Sequence, residues 1–382
     1  MILLLIILIN IYFSCDILVY AGITDWLTLS YLRSILVMLM LTITLFEKKN
    51  KIQIASPPKL MILFFAYLII QYFLPSNITT NGRYINAVLI NIIFFYFALL
   101  NISKKTKTDY DINISKLLEI NLIVTFIIAL IFIKQIDFAN SRIGEYDGTV
   151  FSQSAWSRLG CLISAFSLIN LIDNNKRYFS FLLFICGLAI MYLSFSKTQI
   201  IAFPIILLSI FFFKYHLKLR FLITILISIL FVYFSYDYIL VRFNSFYSVE
   251  NIQTLTGRTM IWEKAWSMIL QNKEGYGFCT DINLGFIGNS TQLTVQAHNV
   301  ILQLLLQIGF IGTALLLINY FRLISIYSKI LWQEYSTALM RNYAVLIFIG
   351  INGIGLSSFA LSGSFELIIL LLLLASPKYT KK

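Results

Sequence analysis

The chain is 382 residues long, 59% hydrophobic, 16% aromatic and only 12% charged, with a mean hydropathy of +0.85. A soluble globular chain carries about 25% charged residues, so the charge needed to clothe a soluble fold of this length is missing. A cytosolic enzyme, a secreted disulfide scaffold, a nucleic-acid-binding domain and a disordered chain are thereby excluded. Leu/Ile/Phe runs joined by short Lys-bearing links instead read as an all-α polytopic membrane bundle rather than a barrel.

A span needs about 20 apolar residues to cross about 30 Å of hydrocarbon. Twelve such stretches are predicted, at 2–20, 27–46, 59–75, 84–101, 116–134, 151–172, 178–195, 198–213, 220–236, 298–320, 339–357 and 359–376. The first resembles a signal peptide, but it lacks a basic leader, and Gly22-Ile23-Thr24-Asp25 is no small-residue cleavage site, so it is read as a span. With a cytoplasmic N-terminus, most of the Lys and Arg residues fall in alternate short links. These include Lys48, Lys49 and Lys51, then Lys104, Lys105 and Lys107, then Lys176 and Arg177, and the tail Lys381 and Lys382. That is the positive-inside pattern. The net charge of +12 therefore reports topology, with both termini cytoplasmic, and not a polyanionic partner.

One membrane domain accounts for 1–382. The far side holds a loop at about 135–150 and a large loop at 237–297, between the ninth and tenth spans. A long polar loop on an otherwise minimal membrane protein is where function concentrates. The cytoplasmic side has no room for a nucleotide-binding domain and no Walker-type glycine loop, so chemistry is expected on the far side, without direct use of ATP.

Two histidines are present. His216, in Lys214-Tyr215-His216-Leu217-Lys218, reads as a solvated helix end. His298 opens the tenth span directly after the large loop and is followed by Asn299, placed to orient it. Its unperturbed pKa near neutrality makes it the natural general base. Upstream, Arg258 to Met268 reads as an amphipathic helix carrying Trp262 and Trp266 at headgroup depth. Arg258 at its start combines a guanidinium fork with free backbone N–H groups, a good diphosphate site. Gly275-Tyr276-Gly277 reads as a tight turn.

Arg142, Arg158 and Lys197 lie at the far side or within spans, where a cation is costly without a partner or a purpose. With Arg258 they form a candidate cluster facing one cavity. Glu366, inside the last span, is either a partner for one of these cations or functional. Small residues around Gly350, Gly353 and Gly355 favour close helix packing. Cys15, Cys161 and Cys186 sit in apolar runs and Cys279 stands alone, so no disulfide pair is evident. One far-side His and one lone Cys offer no metal-ligand pattern, and neither metal nor other cofactor is expected.

These residues resemble the bacterial O-antigen polymerase and O-antigen ligase superfamily. His298-Asn299, nine residues, then Gly309-Phe310-Ile311-Gly312 is similar to its H-[NSQ]-x9-G-x2-G signature. Ser196-Lys197-Thr198 resembles its S-R-[TG] step with Lys for the usual Arg, and Lys gives a point charge rather than a bidentate fork. Arg142-Ile143-Gly144 resembles an earlier periplasmic loop, and Gly353-Ile354-Gly355-Leu356-Ser357 its last spans.

The resemblance implies a GT-C-like bundle in the bacterial inner membrane, with the 237–297 loop periplasmic and containing short helices. It implies metal-independent inverting glycosyl transfer from a glycan on undecaprenyl diphosphate. His298 would be the base, Arg258 and Lys197 diphosphate ligands, and Arg142 and Arg158 weaker candidates, with Asn299 and Glu366 in support. Partners implied are the lipid-linked glycan and the bilayer, with a chain-length regulator and a flippase alongside, and no nucleic acid. A polymerase is the first reading. A ligase transferring glycan to lipid A core is the second, and a lipid-linked oligosaccharide flippase or other transporter is the alternative from another class.

Overall fold

The computed structural model describes residues 26–46, 57–73, 82–106, 109–131, 153–173, 177–194, 196–215, 258–277, 282–287, 291–355 and 365–377. Within them the chain runs α1 (Trp26–Phe46), α2 (Lys59–Phe73), α3 (Gly82–Thr106), α4 (Tyr110–Ile131), α5 (Gln153–Ile172), α6 (Arg177–Ser194), α7 (Lys197–Tyr215), α8 (Arg258–Gln271), β1 (Ile282–Ile287), β2 (Thr291–Val295), α9 (Val300–Gln333), α10 (Thr337–Gly355) and α11 (Phe365–Leu374). Ten of the expected spans overlap a described helix; those at 2–20 and 220–236 lie outside the described residues. By length and composition, α5, α6, α9 and α10 are long and apolar enough to cross a membrane.

Small residues set the closest helix approach. A Cβ on Gly160 of α5 would stand 2.7 Å from the Gly187 carbonyl oxygen of α6, and one on Gly187 would stand 2.8 Å from the Gly160 oxygen. Only glycine at both positions lets the two backbones meet, the close-packing device of helices in lipid. Gly350 on α10 does the same for α9 by receiving the Tyr320 ring, whose hydroxyl donates to the Leu346 oxygen at 2.8 Å.

α11 is apolar on every face (Leu, Ile and little else), and the structure buries it. Such a helix belongs in the centre of a bundle. Its far end is gripped by hydroxyls: Tyr110 donates to the Leu372 oxygen at 2.9 Å and Tyr96 to the Leu374 oxygen at 3.3 Å.

Two expectations change. The large loop is not purely helical. After α8 it forms an antiparallel hairpin in which Ile282 pairs with Val295 and Ile287 with Thr291, with an irregularity between Asn283 and Phe286. Thr291, Thr294 and Val295 are β-branched and favour a strand, a signal that the span-by-span reading passed over. The tenth span also ends later than expected: α9 continues to Gln333, through most of the supposed link 321–338, and is broken at Gly309 (φ 62°, ψ −170°). The break leaves a nine-residue first segment and a second of 24 residues, about 36 Å at 1.5 Å per residue, so the membrane-length segment is the one after Gly309.

The bundle thus has two chemically distinct ends. The starts of α5, α7, α9 and α11 and the close of α10 lie at one; the close of α5 and α7 and the start of α4 and α10 lie at the other, about 27 Å away along α10.

Candidate functional site

The site is built on the first turn of α9. Asn299 is the helix cap: its Oδ1 accepts from Ile301 N at 3.0 Å and Leu302 N at 3.2 Å, satisfying two N–H groups that a helix start leaves open. Its Nδ2 donates to the Ile354 oxygen at the close of α10, at 3.2 Å. Asn299 therefore fixes the backbone under His298, and through Ile354 it anchors α9 to α10.

His298 precedes the cap with φ +50°, the one positive-φ non-glycine among the described residues. A left-handed residue with a Cβ costs roughly 1–2 kcal/mol and persists where its surroundings over-determine it. They do so here. The Ala297 oxygen accepts from Trp262 Nε1 of α8 at 2.8 Å, and the Ala297 N–H donates to Gln303 Oε1 at 2.8 Å. The residue before His298 is thus pinned on both its polar groups.

α8 is held against this pedestal by a small apolar cluster. Ala265 and Ile269 bury against Ala297, Leu305 and Leu306, with Ile261, Met268 and Tyr276 packed around them. Burying one such aliphatic side chain contributes about 1.5–3 kcal/mol, enough to dock a short helix. Arg258, Trp262, Ala265 and Ile269 follow one another at helical spacing on the docked face. Met260, Trp266 and Leu270 stay exposed, so Trp266 fits the interfacial role expected of both tryptophans, whereas Trp262 serves the pedestal.

The break at Gly309 explains the glycine pattern. Interrupting a helix frees carbonyls and N–H groups that must find partners in a membrane protein. Residues 273–277 supply them: Tyr276 N donates to the Leu306 oxygen at 2.7 Å, Gly277 N to the Gln307 oxygen at 2.9 Å, and Phe310 N to the Lys273 oxygen at 3.1 Å. The two backbones touch. A Cβ on Gly275 (φ +94°) would stand 2.5 Å from Gly309 N, and one on Gly309 would strike Lys273 and Glu274. From α2, Gln71 Nε2 donates to the Glu274 oxygen at 2.6 Å and the Tyr67 hydroxyl to the Ile308 oxygen at 3.0 Å. The tight turn thus falls earlier than read, at Asn272–Gly275, where Gly275 N donates to the Asn272 oxygen at 3.2 Å, and Gly275-Tyr276-Gly277 is the strap that closes the wound in α9.

Electrostatically, His298 is half-buried, and burial followed by the Arg258 charge holds its pKa below the ordinary 6.5. The imidazole is thus neutral at neutral pH, with a guanidinium close enough to oppose its protonation. Such a pair can accept a proton from one group while holding an anion beside it.

The other expected residues divide. Lys197 is the first residue of α7, and Gln199 one turn on donates to Asn352 Oδ1 of α10 at 2.5 Å. That bond ties the start of α7 to the strand of chain holding Ile354, and hence to the His298 end. Arg158 forms an ion pair with Glu366 at the same end, so the acid in the last span partners a cation, one of its two expected roles. Arg142 lies outside the described residues, as do His216, Cys15 and Cys279. Trp262, Gln303 and the Gly275–Gly309 contact were missed as site elements. The available signals were Trp262 one turn after Arg258, and a glutamine in an otherwise apolar helix start five residues after His298.

No curated protein sequence matches the chain. Residues 182–317, spanning α6 to the middle of α9 and so the Lys197, Arg258 and His298 elements, match the family model described as O-antigen ligase. The matched stretch is about a third of the chain, and over it the chain is similar to that family.

Proposed function

We propose that the protein is a surface-polysaccharide polymerase that joins glycan repeat units carried on undecaprenyl diphosphate, by inverting transfer at the periplasmic face of the inner membrane. The observation that supports this most is the juxtaposition of His298, held neutral, with Arg258 at the start of α8. In the reaction, neutral His298 takes the proton of an acceptor sugar hydroxyl. The freed oxygen attacks the anomeric carbon of the donor, and the bond from that carbon to the diphosphate oxygen breaks. The electron pair leaves with undecaprenyl diphosphate, whose growing charge Arg258 stabilises. Lys197 would assist from the start of α7, and the proton on His298 passes to solvent or to the leaving diphosphate.

The arrangement also couples binding to basicity. A bound diphosphate offsets the Arg258 charge, which otherwise opposes protonation of His298, so the imidazole becomes a stronger base once the donor is in place. Ligase and polymerase share this chemistry and differ in acceptor, so transfer to lipid A core is the second reading. A flippase would have no need of a neutral-biased imidazole. A chain-length regulator and a flippase belong to the proposal as working partners.

The test is a surface-glycan ladder from a deletion strain carrying the gene, its His298→Ala variant or nothing. Core bearing a single repeat unit in the deletion and the variant supports a polymerase. Loss of all surface glycan with accumulation of long lipid-linked chains identifies a ligase. A wild-type ladder from the variant removes His298 from the chemistry.

A further inference from the structure

The end of the bundle away from His298 contains a cavity of about 610 Å³ between α4 and α6, with α5 behind it and the start of α10 at its polar side. Pockets of this size take ligands rather than single waters. Its chemistry is amphipathic. Ile112, Ile120 and Phe179 form walls that are exposed on the outside of the bundle, where a membrane protein meets acyl chains. The polar side carries Arg341, Lys116 and Glu119, two cations against one carboxylate.

Arg341 is buried at 8% exposure. It bonds Glu119 at 2.9 Å, Asn170 and Ser115, but its Nε, also buried, has no acceptor. A buried guanidinium N–H without a partner is destabilising, and an anionic oxygen entering the cavity would satisfy it. Lys116 is exposed at the rim, where an ammonium can meet a phosphate.

We propose that this cavity binds an anionic phospholipid of the surrounding bilayer, its phosphate at Arg341 and Lys116 and one acyl chain along the α4 and α6 walls. The occupant is a lipid because the apolar walls open sideways among residues that face hydrocarbon, and it is anionic because the polar side has a surplus cation. The site lies in the leaflet opposite the His298 site and does not depend on the glycosyl-transfer reading.

The experiment is native mass spectrometry of the full chain in non-ionic detergent, titrated with phosphatidylglycerol or phosphatidylcholine of matched chains. Phosphatidylglycerol should be retained in preference. Lys116→Ala, at an exposed position that leaves the fold intact, should weaken it about fivefold, the worth of one lysine near an anionic lipid. Ser167→Leu, which fills the cavity from α5, should abolish the preference with no change in phosphatidylcholine binding. Equal retention of the two lipids, or an unchanged preference in Lys116→Ala, overturns the proposal. Displacement of phosphatidylglycerol by glycerol phosphate also overturns it, by showing a soluble-anion site. If Ser167→Leu does not fold, the Lys116→Ala comparison decides alone.

Discussion

At the Arg341 end of the bundle, the inner charges are matched, Arg341 with Glu119, and Lys214 with Asp173 at 2.5 Å, whose other oxygen accepts from Thr337, while Lys116 adds a cation at the exposed cavity rim. Asp111 accepts from Tyr327 at 2.7 Å and Ser376 at 2.9 Å. At the His298 end Arg158 is matched with Glu366, but Arg258 is set beside an imidazole, an arrangement that disfavours a charge on the ring. The backbone differs in the same way. The Arg341 end is regular helix, whereas the His298 end holds a strained His298, a broken α9 and a strap of glycines. Paired charge and regular backbone stabilise a fold; opposed charge and strained backbone mark the place where a reacting ligand completes the balance.

This comparison breaks first at His298. Replacing it by Gly should cut transfer by 10²–10⁴-fold, the usual contribution of a general base, yet raise stability by about 1 kcal/mol by relieving the left-handed backbone. Turnover and thermal melting read the two effects separately, and a melting temperature that falls would deny the strain. Glu119→Ala at the other end should do the reverse. It leaves a buried guanidinium unmatched, costing about 3 kcal/mol, with turnover per folded molecule unchanged.

Gly309→Ala comes next. Its Cβ would strike the strap, so amide exchange at Tyr276 and Gly277 should quicken and turnover fall by about tenfold, one to two kcal/mol of strain being released into the site. Trp262→Phe removes one hydrogen bond to Ala297, worth about 1 kcal/mol, and should lower turnover by less than tenfold. The mildest effect is on pH. Because the folded pKa of His298 is depressed, the unfolded chain takes up a proton first as pH falls below 6.5. Stability from this group is therefore full above pH 6.5 and is lost as pH drops through the window down to the folded value. The acid limb of the rate profile should lie below 6.5 and move up toward it in Arg258→Gln.

Much of this was legible from the chain. Hydropathy placed the described helices because a span must be apolar for its whole length, and His298 stood out as one of two histidines, the one at the start of an apolar run. What escaped depended on pairing across the sequence. Glu366 was expected as a partner for one of the cations, but periodicity carries no sign of which; Arg158 lies 208 positions away. Trp262 looked like a membrane-surface residue because its composition fits one, and only its partner, the Ala297 carbonyl, reveals the other use. Gly275 and Gly309 were each seen as glycines in a motif, but their roles are linked: the Gly309 backbone fills the space beside Gly275, and the Lys273 and Glu274 backbone fills the space beside Gly309.

The most direct test is release of undecaprenyl diphosphate from a lipid-linked glycan by the purified chain in vesicles, comparing wild type, His298→Ala, Arg258→Gln and Glu119→Gln. Release should vanish in His298→Ala, weaken strongly in Arg258→Gln and persist in Glu119→Gln. Release that survives His298→Ala, or that fails equally in Glu119→Gln with the protein still folded, would contradict the assignment of chemistry to the His298 end.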